Sequence, residues 1–186
     1  MGASGWAAGD YLDRPLRELL EDVAGADPVP AAGSLVATVG ALAAGLTAKV
    51  ARRSTTQRPD AEAIAARADL LRAQLEPLIT GDAAGYAKAL DAPSNSTDRT
   101  EAMRAASTGP VSMAEVTAEI AEIASELAAH CNPNLRVDAA AVAWLAASVA
   151  EVGADLASAN VGDSALSQRA HAAVARARAA ADRTRV

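Results

Sequence analysis

Asp82 and Tyr86 stand four residues apart, so a single helical turn would carry a carboxylate and an aromatic ring on one face. Asn132 to Asp138 gathers two amides, the cation of Arg136 and a carboxylate within one short stretch. Gly33-Ser34 follows Pro28-Val29-Pro30-Ala31-Ala32 and precedes an apolar run. A glycine there leaves the N–H groups of a helix N-terminus free to face an anion or a carbonyl. Asn160 brings a further amide to the end of a long helical pattern. Each stretch also has a reading without a ligand. These are a helix-opening Asp with a core Tyr, a loop closed by an Asp N-cap, a Pro/Gly turn with Ser34 as cap, and an Asn C-cap. His130 and Cys131 are adjacent and do not face one another on a helix, so they make neither a nucleophile–base pair nor a metal site.

The elements that must hold these groups are helices. The 186 residues are 51% hydrophobic but only 2% aromatic, with no Phe, and alanine dominates. Alanine is the best helix former and a poor strand former. The expected fold is all-α, a single-domain bundle of about seven or eight helices. A core of Ala, Leu and Val has little volume per residue, so its helices must approach closely. The net charge of −6 argues against general nucleic-acid binding. One cysteine and two histidines argue against a disulfide or a metal cluster. No basic segment followed by an apolar one marks a secretory signal, so a cytoplasmic protein is expected.

Along the chain, residues 1–10 read as a loose start and 11–186 as the helical domain. Asp13-Arg14-Pro15 opens a first helix that Gly25 closes. Ser34 caps a second, which runs to about Arg53 and carries no charge from Leu35 to Ala48. That run is too short for a transmembrane span, and a helix apolar all round belongs at the centre of the domain or of an oligomer. A third helix starts near Pro59 and should kink or stop at Pro77, with a short continuation over Asp82 to Leu90. Asp98 and Glu101 have capping-box spacing for a short helix ended by Gly109-Pro110, and Ser112 and Glu115 repeat that spacing for the next. Asp138 caps a long helix ending near Asn160, and an Ala/Arg-rich helix runs from about Ser164 to Arg183.

Taken in order, these segments resemble the cyclodeaminase/cyclohydrolase family of folate enzymes. Pro28 to Ala37 is similar to its Pro-x-Pro-Gly-Gly-Gly-Ser stretch and apolar helix. Asp82 to Tyr86 resembles its Asp-x-x-Ala-(Phe/Tyr) element, and Ala89 to Pro93 the Ala-x-x-x-Pro step that follows. Asn132 to Asp138 resembles its Asn-x5-Asp loop, and Asn160-Val161 its Asn-Val helix ending. The chain departs from the pattern at four positions. Ala31 and Ala32 replace glycines, Ser94 stands where the family usually has Lys, and Ser164 replaces an Asn.

The resemblance implies a dimer with the apolar helix buried, and chemistry through the 5,10-methenyl cation of tetrahydrofolate. A cyclohydrolase adds water to that cation to give the 10-formyl form; a cyclodeaminase forms it with loss of ammonia. A carboxylate must steady the cation and handle a proton, a role for Asp138 or Asp82. Asn132 and Asn160 would then meet the pterin's amide edge, Tyr86 its ring, and the Gly33-Ser34 turn would supply backbone donors. Arg52, Arg53 or Arg136 would meet the glutamate carboxylates. No metal or redox cofactor is implied, and neither nucleic acid nor membrane is an expected partner. The cyclohydrolase is preferred because no formiminotransferase domain accompanies the sequence. A second reading is a non-catalytic helical dimer of the same fold, binding a small ligand or serving assembly. A third is an interaction module with no ligand.

Overall fold

Alanine-rich sequence with a Leu, Ile or Val every three or four residues can bury its apolar groups only on helices. The computed structural model is all-helical, with no strand among the described residues. It describes residues 10–94, 96–162 and 164–185, and only the backbone of Ala83, Tyr86 and Leu90. The expected loose segment therefore lies outside the described residues, except for Asp10. The helices are α1 (Leu16–Ala24), α2 (Ala32–Arg52), α3 (Ala61–Asp91), α4 (Thr97–Ala106), α5 (Thr108–His130), α6 (Arg136–Val161) and α7 (Ala165–Asp182). Short 3-10 turns at Tyr11–Asp13 and Pro133–Leu135 precede α1 and α6.

The centre of the bundle is α5 and not α2, whose run from Leu35 to Ala48 carries no charge. Met113, Thr117, Ile120, Ala124 and Leu127 of α5 are fully enclosed, and α2, α3, α6 and α7 all pack on it. Two glycines allow the closest approaches. A Cβ on Gly40 of α2 would lie 3.1 Å from both Leu75 and Thr117. One on Gly153 of α6 would lie 2.8 Å from the Pro110 carbonyl oxygen. The rest of the packing is Ala against Ala, with Ala37, Ala44, Ala118, Ala143, Ala146 and Ala177 sealed from solvent. Outside, Arg169 and Arg176 of α7 form two-pronged pairs with Glu115 and Glu122 of α5, at 2.9–3.1 Å.

Four local expectations need correction. Pro77 lies inside an unbroken α3. The helix continues through it because Leu75 and Ile79, on either side, are both buried and tie the two halves to one core. Ser34 is not the cap of α2, which begins two residues earlier with Ala31 at the cap position, so Ser34 falls in the first turn. Asp138 likewise sits in the first turn of α6, which starts at Arg136 directly after a 3-10 turn. The α4 cap is Ser96, whose Oγ accepts the Arg99 N–H at 3.0 Å, and α5 opens at Thr108, ahead of Gly109-Pro110, because proline fits a helix's first turn.

Candidate active site

The tightest approach of two candidate residues joins Gly33 to Asp82. Gly33 lies in the first turn of α2, and the C-terminal third of α3, which packs antiparallel along α2, lies against it. A Cβ built on Gly33 would overlap the Asp82 carboxyl, so only glycine leaves room for this side chain. Asp82 makes no hydrogen bond or ion pair to a described residue, and burial pushes its pKa above the usual carboxylate value. Next to Gly33, the Ser34 Oγ is fully enclosed and has no hydrogen-bond partner. The start of α2 also has no side-chain cap. Its first-turn N–H groups and an unpaired carboxyl therefore meet here, while the orphaned Ser34 hydroxyl, one residue on, projects about 100° further round the helix.

The two alanines that replace family glycines introduce no strain there. Ala31 is extended, with φ −125° and ψ −154°, and Ala32 is helical and exposed. Neither needs the left-handed conformation that glycine would provide, and the glycine that is kept is the one whose hydrogen faces Asp82.

A second group of candidates lies at the opposite end of α2. Twenty residues of helix separate Gly33 from Arg53, a rise of about 30 Å. There the Asn132 N–H donates to Ser54 Oγ at 3.0 Å, and its side-chain Nδ2 donates to the Arg53 carbonyl at 3.3 Å. Asn132 Oδ1 accepts the Asn134 N–H at 3.1 Å, so its amide is committed to holding the loop. Arg52 is paired with Asp69 of α3, while Arg53 and Arg136 are exposed. Asp138 belongs to the same end, in the first turn of α6. Within one chain, Asp82 and Asp138 do not converge. The sequence could not show this, because tertiary contacts decide which end of α2 each motif packs against.

Asn160 returns to the Asp82 end, since α6 runs antiparallel to α2: Val149 packs beside Gly40, and the start of α6 lies by Arg53. It lines a cavity of about 760 Å³ with Ser94, Ser164, Thr100, Arg99 and Arg104. A smaller chamber of about 270 Å³ holds Asp82, Gly85, Lys88 and Thr108. Helix α4 stands between them. Its Arg99, Thr100, Met103 and Arg104 face the larger space, and Ala102, Ala105 and Ala106 the smaller. Sequence reasoning missed the arginines of α4, although Arg104 stands four residues after Thr100 and shares a helical face with it. The Tyr86 side chain lies outside the described residues. Among the described residues, no three His, Cys, Asp or Glu side chains gather where they would hold a metal ion.

Comparison with known proteins adds two findings. A family model described as formiminotransferase-cyclodeaminase matches residues 15–181. The fold is similar to the crystal structure of a formiminotetrahydrofolate cyclodeaminase from Thermotoga maritima, with a TM-score of 0.86 at 22% identity, covering 93% of this chain and 94% of that one. No curated protein matches the chain.

Proposed function

This chain belongs to the formiminotransferase-cyclodeaminase family, and we propose that it is an enzyme hydrolysing 5,10-methenyltetrahydrofolate to the 10-formyl form. The observation that carries this reading is the Gly33–Asp82 contact: of the glycines in the family's turn, the one retained is the one a carboxyl group occupies. Asp82 is the proton carrier. Its carboxylate takes a proton from water as the oxygen bonds to the methenyl carbon, removing the positive charge. It then returns a proton to N5 as the N5–carbon bond breaks, and the hydroxyl proton leaves to solvent as the formyl group forms. A carboxyl whose pKa is raised by burial is better matched to both halves of this exchange at neutral pH. The uncapped N–H groups of the first turn of α2, beside Asp82, are the donors this reading gives to the oxygen. The site asks for no metal or redox group, since the substrate already carries the cationic carbon.

The test follows the methenyl chromophore in the near ultraviolet. Purified protein should speed its loss above the buffer rate, and Asp82→Asn should remove most of that acceleration. A rate equal to buffer would refute the enzyme reading and leave the non-catalytic binder. Release of ammonia from 5-formiminotetrahydrofolate, measured beside it, distinguishes the cyclodeaminase reaction.

We further propose that the working unit is a cytoplasmic homodimer built on the outer face of α2 and α6. Leu42 is 68% exposed, Leu35 48%, Leu145 47% and Val137 80%. Leu35 and Leu42 lie two turns apart on one face of α2, which ends in Lys49, and no described acid pairs with that lysine. A two-fold axis at Leu42 sets the two copies of α2 antiparallel, with Lys49 of each beside Leu35 of the other. The antiparallel register of α2 and α6 puts Asp155 near Leu35, where it meets the incoming lysine. The same operation brings the partner's Asn132–Asp138 end to the Asp82 end of the first copy. Both α2 and the 133–161 region are long and apolar enough to cross a membrane, but at least half of each is buried in the fold, and we read them as core helices.

A further inference from the structure

The cavity between α4 and the α6–α7 junction has a charge pattern that the reaction itself does not need. Arg99 and Arg104 line it, with serine, threonine and asparagine, and none of the described residues lining it is a carboxylate. Arg99 is anchored to the α3–α4 connection through the Ala92 carbonyl at 3.2 Å. Arg104 is exposed and forms no ion pair with a described acid, although elsewhere Arg14, Arg52, Arg58, Arg67, Arg169, Arg176 and Arg178 all do. At about 760 Å³ the space is of the size that encloses a small organic ligand. Ser94, on its rim, occupies the position where the family pattern carries a lysine.

We propose that this cavity binds the carboxylate end of the substrate and that Arg104, beside Arg99, supplies from α4 the positive charge that Ser94 no longer provides. The guanidinium forms a two-pronged, charge-assisted hydrogen bond with a carboxylate, and the hydroxyls of Ser94, Thr100 and Ser164 complete the shell. The folate tail ends in carboxylates, and the reacting carbon bridges N5 of the pterin and N10 of the p-aminobenzoyl group, so the p-aminobenzoyl ring separates the two and lets them occupy the two sides of α4. The ligand's anionic end lies on the Arg104 side and its cationic carbon on the Asp82 side. This inference rests on the folate reading and replaces Arg52, Arg53 and Arg136 as the tail's partners within one chain.

The test uses N-(4-aminobenzoyl)-L-glutamate, the tail without the pterin, titrated by calorimetry into the whole protein. The variants are Arg104→Met, Arg104→Lys and the double change Arg104→Met with Ser94→Lys, each with a melting temperature to confirm folding. Arg104→Met should weaken binding about tenfold or more, the loss expected for one charge-assisted bond. Arg104→Lys should recover part of that loss, and adding Ser94→Lys to Arg104→Met should recover a similar part. Raised salt should weaken the wild type more than the Arg104→Met variant. Unchanged affinity in Arg104→Met would overturn the proposal, as would a double variant no tighter than the single one. Inorganic phosphate competing as strongly as the glutamate compound would overturn the carboxylate assignment. These outcomes separate from the catalytic reading: tail binding that depends on Arg104 without turnover removes the hydrolase, whereas turnover with KM unmoved by Arg104→Met removes only this site.

Discussion

Gly33→Ala is the substitution that most directly separates position from stability at this site. The added methyl enters the volume of the Asp82 carboxyl, so one of the two must give way. The backbone has little reason to move, because residue 33 is helical and alanine there gains about 0.5–1 kcal/mol over glycine. Asp82 holds no hydrogen bond to a described residue, and its burial is a cost to the charged form, so turning it outward sacrifices no favourable contact. The two effects leave net stability within about 1 kcal/mol of wild type, a melting shift of about 2–4 °C for a chain of this size. Activity should respond very differently. A general acid–base group is worth about 10²–10⁴ in rate, and a carboxyl swung away from the start of α2 forfeits most of that. Parallel thermal melts and methenyl-loss assays on the two proteins measure both quantities. Wild-type turnover in Gly33→Ala would refute the assignment of Asp82, and a melting temperature lowered by more than about 10 °C would show that the carboxyl is wedged into the core rather than resting against the turn.

Gly153→Ala is the contrasting case. Its Cβ would meet the Pro110 carbonyl oxygen at 2.8 Å and the Ala114 nitrogen at 3.2 Å, both backbone atoms, so two helices must separate; thermal melts should show a loss of about 1–3 kcal/mol. Asp82→Asn should stabilise the protein at neutral pH. A carboxyl with a raised folded pKa penalises the folded state when ionised; the penalty fades as pH falls through that value and is absent below the unfolded value of 3.8. Denaturation curves at several pH values should therefore converge for the two proteins in acid, and a gain that persisted there would refute burial as the cause. Ser34→Ala removes a buried hydroxyl with no partner in the fold, so thermal melts should show stability that holds or rises slightly. Leu42→Glu should convert a dimer to a monomer in sedimentation, and a dimer that survives it uses another face.

Much of the fold was legible because alanine-rich periodicity has one structural solution, and the ends of α1 and α7 follow from Gly25 and the Ser164 capping box. The misplacements share a cause: they depend on what packs nearby. Pro77 reads as a break until Leu75 and Ile79 are seen to fix both flanks. Ser34 reads as a cap because its residue type favours caps, but the helix begins before it, and its hydroxyl is left without a partner. The charge-free run from Leu35 to Ala48 reads as the centre of the domain or of an oligomer, yet within the chain it is α5, with five acidic or basic side chains, on which α2, α3, α6 and α7 all pack.

The candidate site was legible as a set of residues but not as a place. Asp82 and Gly33 were read from separate motifs, 49 positions apart, and only the antiparallel packing of α3 along α2 joins them. Asn132 and Asp138 came from equally recognisable motifs, yet the straight run of α2 carries them about 30 Å away. One arrangement satisfies both facts without bending α2. If the residues at both ends serve one ligand, the proposed antiparallel pairing of two chains on the uncharged outer face of α2 would bring them together. The exposed leucines of α2 are where that arrangement requires them, and Leu35 and Lys49 are equidistant from Leu42 in sequence. In the proposed dimer, the charge-free stretch from Leu35 to Ala48, with Leu42 exposed, would be the shared surface.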